Sequence, residues 1–464
     1  MTTTSSSPRP FPPGFQFGVA SASYQVEGAV AEDGRLPSIW DTFSHTPGKV
    51  VGGDTGDVAC DHYHRWPQDL DLIADLGIPS YRFSVAWPRV MPDGRNVNQA
   101  GVDFYKELVD GLLARGIMPL MTLYHWDLPQ ALEDEGGWRK RDVVGRFTDY
   151  ALVLGKALGD RVPAITTLNE PWCSAYLGHA SGEHAPGLNE DRLAYPVAHH
   201  LNLAHGRAVT ALRGVLPAAA QMSVTLNLQH VVPASDTEAD LAAARHVDAI
   251  SNRIFLDPML RGSYPDDLLA GTAHLTDWSF VRAGDLEEIR APLDFLGVNY
   301  YMPSVVGADP AGRRLPGTDR AFGIETESRR TIMGWPIDPS GLRDLLLRVH
   351  HDYGIPTMVT ENGMADHDVA VDGRVHDDAR IDYIHGHLGA VLDAVAAGAD
   401  VRGYFEWTLL DNFEWAWGYD KRFGLVHVDF DDQARTVKDS ARWYADVAAR
   451  NALPDELPGV SGSR

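Results

Sequence analysis

Residues 81–124 read YRFSVAWPRVMPDGRNVNQAGVDFYKELVDGLLARGIMPLMTLY. The stretch opens on a short apolar, β-rich run, Tyr81 to Trp87, and closes on another, Met118 to Tyr124. Between them Val102, Tyr105, Val109 and Leu112 fall at i, i+3, i+7 and i+10 and so share one helical face. Arg115-Gly116 then supplies a C-terminal cation and a stop. A strand, a helix packed on it and a second strand make a βα unit of parallel sheet.

Working outward, the same alternation fills the chain. Eight such runs are readable: Phe15–Val19, Tyr81–Trp87, Met118–Tyr124, Ala164–Leu168, Met222–Leu228, Phe295–Tyr301, Thr357–Thr360 and Val401–Leu409. Amphipathic fillers recur at Val143, Phe147, Ala151 and Leu154, and at Ile381, Ile384, Leu388 and Val391. Eight parallel strands separated by helices can close into a barrel, whereas an open doubly wound sheet would carry a Gly-rich phosphate turn after its first strand. Neither GxGxxG nor GxxxxGK[ST] is present. The predicted fold is therefore α/β, a single (β/α)8 TIM barrel with extended βα loops, over residues 11–452. Residues 1–10 read as a disordered N-terminal tail, 453–464 as a C-terminal tail, and Met302 to Trp335 as a lid-like insertion with little periodicity.

The 464 residues are 44% hydrophobic and 22% charged, an ordinary globular balance. Lys and Arg number 40 against 64 Asp and Glu, a net charge of −24, which repels phosphodiester backbones and anionic membranes. No nucleic-acid or membrane partner is expected. No secretory h-region is visible, and the two cysteines, Cys60 and Cys173, are no disulfide framework, so a cytoplasmic protein is expected.

In such a barrel the chemistry stands at the C-terminal ends of strands. The fourth run ends Thr167-Leu168-Asn169-Glu170-Pro171-Trp172 and the seventh ends Thr360-Glu361-Asn362-Gly363, so each places one carboxylate at the mouth. Two carboxylates across a barrel mouth are what glycoside hydrolysis needs, one as general acid on the leaving oxygen and one at the anomeric carbon.

Seven motifs carry a resemblance to the β-glucosidases of glycoside hydrolase family 1 from Phe15 to about Ala449: FGVASASYQVEG at 17–28, YRFSVAWPR at 81–89, LYHWDLP at 123–129, TLNEPW at 167–172, FLGVNYY at 295–301, TENG at 360–363 and EWTLLDNFEWAWGY at 406–419. The resemblance implies a retaining enzyme acting on terminal β-D-glucosyl residues, such as β-glucosides or cello-oligosaccharides, through a covalent glycosyl-enzyme, without cofactor or metal. It makes Glu170 the acid/base and Glu361 the nucleophile, with Arg82, Asn299 and Tyr301 in support. Gln25, His125, Asn169 and Glu414 match hydroxyl ligands, Trp407 the sugar platform and Trp415 a further hydroxyl contact. Trp172 and Trp335 match aglycone-side walls, although Trp335 is followed by Pro336 where family members often have Glu.

Other candidates are set aside. Asp61-His62-Tyr63-His64 points its imidazoles to different helix faces and lacks further ligands at metal spacing. His199-His200 and His350-His351 read as helix-surface pairs, and Cys173 as packing. Three rival functions remain: a 6-phospho-β-glucosidase, disfavoured because its Ser, Lys and Tyr positions here read Glu414, Lys421 and Phe423; a sugar-binding barrel without catalysis, disfavoured by the intact carboxylates; and a broad β-glycosidase or transglycosidase.

Overall fold

The eight runs become the staves of one barrel. In the computed structural model, which describes residues 8–455 and 457, they are β1 (Gln16–Ala20), β2 (Ser80–Ser84), β3 (Met118–Tyr124), β4 (Ala164–Asn169), β5 (Gln221–Asn227), β6 (Phe295–Asn299), β7 (Thr357–Asn362) and β8 (Val401–Trp407). Each runs parallel to its sequence neighbour, and β8 closes on β1 with Trp407 opposite Ala20.

The longer helices are α1 (His62–Leu76), α2 (Gln99–Ala114), α3 (Asp142–Leu158), α4 (Ala194–Arg213), α5 (Glu238–Asp248), α6 (Pro339–Tyr353), α7 (Asp378–Ala396) and α8 (Asp439–Arg450). The apolar stripes read from the sequence on α2, α3 and α7 are all buried. Each such side chain contributes about 1.5–3 kcal/mol by leaving water, and this burial seats the helices on the barrel. Inside the barrel, Leu120, Ala164, Phe295, Met358 and Phe405 form a separate apolar plug. Gly18 is required beside it, since a Cβ there would stand 2.3 Å from the Phe405 ring.

Among the described residues, register shifts within the barrel occur only in pairings of β4, which leads into Glu170, and of β7, which carries Glu361 at its last residue but one. A bulge bends its strand and re-aims the side chains beyond it. Both carboxylates therefore leave their strands through an irregularity.

Three expectations need correction. Arg9 and Pro10, assigned to a tail, pair antiparallel with Leu453 and Ala452, and Leu453 is 2% exposed. Apolar burial beside Phe11 ties the two ends down, so the ordered body extends past 11–452; the tail assignments for 1–7, 456 and 458–464 lie outside the described residues. The insertion after β6 is also more regular than a lid. Its short strands Pro303–Gly307, Arg313–Arg314 and Phe322–Gly323 join His230–Pro233 in a four-stranded sheet. Val306, Leu315 and Ala321 pack there against Ala243 and Val247 of α5, a small core whose strands are too short to show a period. Finally, His199 and His200 are buried, because α4 is covered on its outer side as well: His199 bridges Tyr264 and Asp285, and His200 meets the Trp138 carbonyl. His350 and His351 do lie at the half-buried and exposed end of α6.

Candidate active site

Arg82 rises from β2 into the barrel mouth, 1% exposed, and joins the two carboxylate strands. Its Nη1 donates to Glu361 Oε1 at 2.6 Å and its Nη2 to Asn169 Oδ1 at 2.7 Å. Tyr301 donates its hydroxyl to Glu361 Oε2 at 2.9 Å, so both oxygens of Glu361 are held by donors, one of them cationic. Such charge-assisted bonds are short and about twice as strong as neutral ones.

Glu170 is held differently. Asn299 Nδ2 donates to its Oε1 at 2.7 Å, and the Cys173 thiol donates to its Oε2 at 3.2 Å. Among the described residues no cation touches it. Its backbone takes φ +46, a left-handed value uncommon for a residue with a side chain, and Trp126 and Trp415 nearby share that strain at +76 and +51.

Electrostatics separates the two acids. Burial first, and then the neighbouring Glu361, push the Glu170 carboxyl up to about 8. Burial raises Glu361 too, but the Arg82 guanidinium and the Tyr301 hydroxyl oppose it. Glu361 is thus the member of the pair that ionises first, and Glu170 keeps the proton.

A third carboxyl, Glu414, lies in the loop after β8, where burial and the other two acids raise it to about 8. Gln25 Nε2 donates to Asn412 Oδ1 at 3.0 Å and to the Phe413 carbonyl at 2.9 Å, with a longer reach of 3.4 Å to Glu414. The other end of that amide, Gln25 Oε1, is buried without a partner among the described residues. Asn169 Oδ1 already accepts from Arg82 and Asn299, so its Nδ2 faces His125 Nε2 at 3.0 Å and makes that nitrogen the acceptor. His125 is then neutral with its proton on Nδ1, an unpartnered buried donor, and burial followed by Arg82 pushes its pKa far down. Unpaired buried polar atoms are costly unless a ligand satisfies them.

The aromatic wall completes the mouth. The His125 ring stacks 5.7 Å from Trp407 and 5.9 Å from Trp415. Trp335 packs 5.4 Å from Tyr301, in a turn closed by the Thr331 N–H to the Trp335 carbonyl and by pairing of Arg330 with Pro336, which accommodates the proline. Trp172, in the loop after β4, stacks on Tyr176. All thirteen residues proposed from the sequence lie on this mouth or in the loops that rim it.

Two contributors were not foreseen. Thr360 donates to Asn299 Oδ1 at 2.8 Å and so turns the Asn299 N–H toward Glu170; its place beside Glu361 at a strand end is the signal that was available. Cys173, read as packing, touches Glu170 itself, and its i+3 spacing after that residue on a helical turn was the clue. By contrast, His62 is spent on Asp69 at 2.8 Å and His64 on Asp61 and Glu32.

A parallel eightfold barrel carrying at its mouth one carboxyl held by a cation and one held by neutral donors has the arrangement glycoside hydrolysis needs. The family model described as glycosyl hydrolase family 1 matches residues 7–453, and the chain belongs to that family. It is 52% identical to the bifunctional β-D-glucosidase/β-D-fucosidase of Bifidobacterium breve, with 95% of this chain and 99% of that one covered. It is likewise 52% identical to the thermostable β-glucosidase B of Thermobispora bispora, over 96% of this chain and 91% of the other. Among solved structures, the Thermotoga maritima β-glucosidase in complex with glucoimidazole superposes with a TM-score of 0.91 at 45% identity, covering 96% of this chain and all of that one.

Proposed function

We propose that this chain is a retaining β-glucosidase that releases terminal non-reducing β-D-glucosyl residues by double displacement, with Glu361 as nucleophile and Glu170 as acid/base. The observation that carries the assignment of roles is the unequal setting of the two acids: a guanidinium and a phenol on Glu361, neutral donors only on Glu170. Glu361, ionised, attacks the anomeric carbon while Glu170 gives its proton to the departing oxygen. Once Glu361 is an ester its charge is gone, the pKa of Glu170 falls, and the carboxylate takes a proton from the incoming water.

Sugar recognition follows from what the mouth leaves unpaired. Gln25 Oε1 and the Glu414 carboxyl offer acceptors, His125 Nδ1 offers a donor, and Asn169 sits between nucleophile and histidine. Trp407 supplies a flat apolar face for the pyranose ring, Trp415 a further polar contact, and Trp172 and Trp335 rim the aglycone side. β-Glucosides and short cello-oligosaccharides fit this cradle. The bifunctional Bifidobacterium relative favours some breadth toward β-fucosides. The acidic surface and two buried, unpaired cysteines support a cytoplasmic enzyme without nucleic-acid partners, and no described helix is long and apolar enough to cross a membrane.

A 6-phosphate would meet Glu414 where a phospho-glycosidase needs a hydroxyl, Phe423 is buried against Tyr301, and Lys421 is paired with Asp420. Side-by-side kcat/KM on plain and 6-phosphorylated aryl glucosides tests the assignment. The plain glucoside is expected to be the faster, and a preference for the phosphorylated one overturns it.

A further inference from the structure

We propose that Cys173 is a positioning residue for Glu170, its thiol serving as the reversible hydrogen-bond partner that lets one carboxyl act first as acid and then as base. The inference rests on the acid/base reading of Glu170 given above.

The two oxygens of Glu170 have unlike partners. Oε1 faces the Asn299 amide, which can only donate there because its own oxygen is taken by Thr360. A proton on Oε1 would point at that N–H, so the carboxyl proton resides on Oε2. At Oε2 stands Sγ of Cys173 at 3.2 Å, and a thiol is both a weak donor and a weak acceptor. Asn227 Nδ2 approaches the same sulfur from the end of β5 at 3.5 Å and leaves the S–H free to turn toward Glu170. The Cys173 backbone N–H is anchored to the Glu170 carbonyl at 2.9 Å, fixing the pair as one turn.

The sequence of states then closes without an orphaned atom. When Glu170 is protonated the thiol turns its hydrogen away and accepts from the Oε2–H, a bond weak enough to break when a glycosidic oxygen arrives. That proton passes to the leaving group, and the thiol, keeping its own hydrogen throughout, rotates to donate to the carboxylate just formed. When water attacks the glycosyl-enzyme, its proton goes to Oε2 and the thiol turns back. Burial, and then the adjacent Glu170, hold the thiol well above its usual pKa, so it remains S–H.

The charged groups facing Glu170 are Glu361 from β7, Arg82 from β2 and Glu414 from the loop after β8, with Glu183 facing Cys173. None is altered by replacing Cys173. Because the thiol donates to the ionised form, it lowers the Glu170 pKa, and its loss must raise it. Cys173→Val and Cys173→Ala are expected to move the basic limb of kcat/KM upward by about half a pH unit. Cys173→Ser, which keeps a hydroxyl able to donate and accept, returns the limb to the wild-type position or below it. A wild-type limb in all three variants, or an equal upward shift in Ser and Val, overturns the proposal. Glu170→Gln is measured in parallel: a basic limb that persists in that variant shows that Glu170 is not the acid, a failure of the underlying reading rather than of the thiol's part in it.

Discussion

Two groups of charges meet at the loop after β8, where Asp411 belongs to one and Glu414 to the other, and they behave in opposite ways. The outer group sets Asp368, Asp377 and Asp411 against Arg380, Lys438 and Arg422, three carboxylates to three cations. Burial alone would raise Asp368, yet Arg380 and Lys438 hold it below the usual carboxylate range. The inner group sets Glu170, Glu361 and Glu414 around Arg82, the one cation there among the described residues, and all three acids are raised. Burial is common to both, so charge balance decides. A balanced cluster is a fixed anchor, here pinning the loop that carries Glu414 through Asp411 to Lys438 at 2.8 Å and to the Gly424 N–H at 2.9 Å. An unbalanced one must hold protons at neutral pH, and stored protons are what a general acid needs.

Breaking the inner group at the acid that Arg82 holds should have the largest effect. Glu361→Gly is expected to lower kcat by about 10⁵-fold or more, since it removes the carboxylate that forms the ester. Azide or formate in the vacated space should restore turnover with an inverted product. Full activity in that variant without an added anion would remove Glu361 from the nucleophile's role.

Glu414 sharpens the comparison, because it shares the imbalance without reacting. Glu414→Ala should lower kcat/KM for glucosides by about tenfold to a hundredfold through lost hydroxyl contacts. The same change removes an acid that is raised to the same range as Glu170, so the basic limb should move to lower pH as Glu170 ionises more readily. A limb that stays in place would mean that Glu414 does not sense the other two acids.

The outer group should answer in stability instead. Lys438→Met leaves Asp368 and Asp411 short of a partner and is expected to cost about 3–5 kcal/mol in denaturant unfolding, with pH limbs of activity unmoved. Since Asp368 is depressed in the folded state, its contribution is present above the ordinary carboxylate pKa and fades as pH falls through the lowered one. A variant of wild-type stability would show that the cluster anchors nothing.

This contrast also explains what the sequence could reveal. Strand runs and helix stripes are local, so the eight staves and the faces of α2, α3 and α7 were legible, and Glu170 and Glu361 stood out because each closes such a run. The buried state of His199 was not, because it depends on residues 264–289 folding over the far side of α4. The sheet linking His230–Pro233 to Pro303–Gly307 escaped for a similar reason: its members are short and far apart in the chain. The parts played by Thr360 and Cys173 were hidden by residue type, each being a common packing residue whose meaning comes only from the atom it faces.

The most direct test of the account is to trap the glycosyl-enzyme. A 2-deoxy-2-fluoro glucoside with an activated leaving group forms the ester faster than the ester hydrolyses, so the protein should inactivate with one sugar bound per chain. Peptide mass spectrometry should then place the sugar on Glu361, and released glucose from ordinary substrate should first appear as the β-anomer by proton NMR. A label on another residue, or no label together with a first-formed α-anomer, would contradict the double displacement.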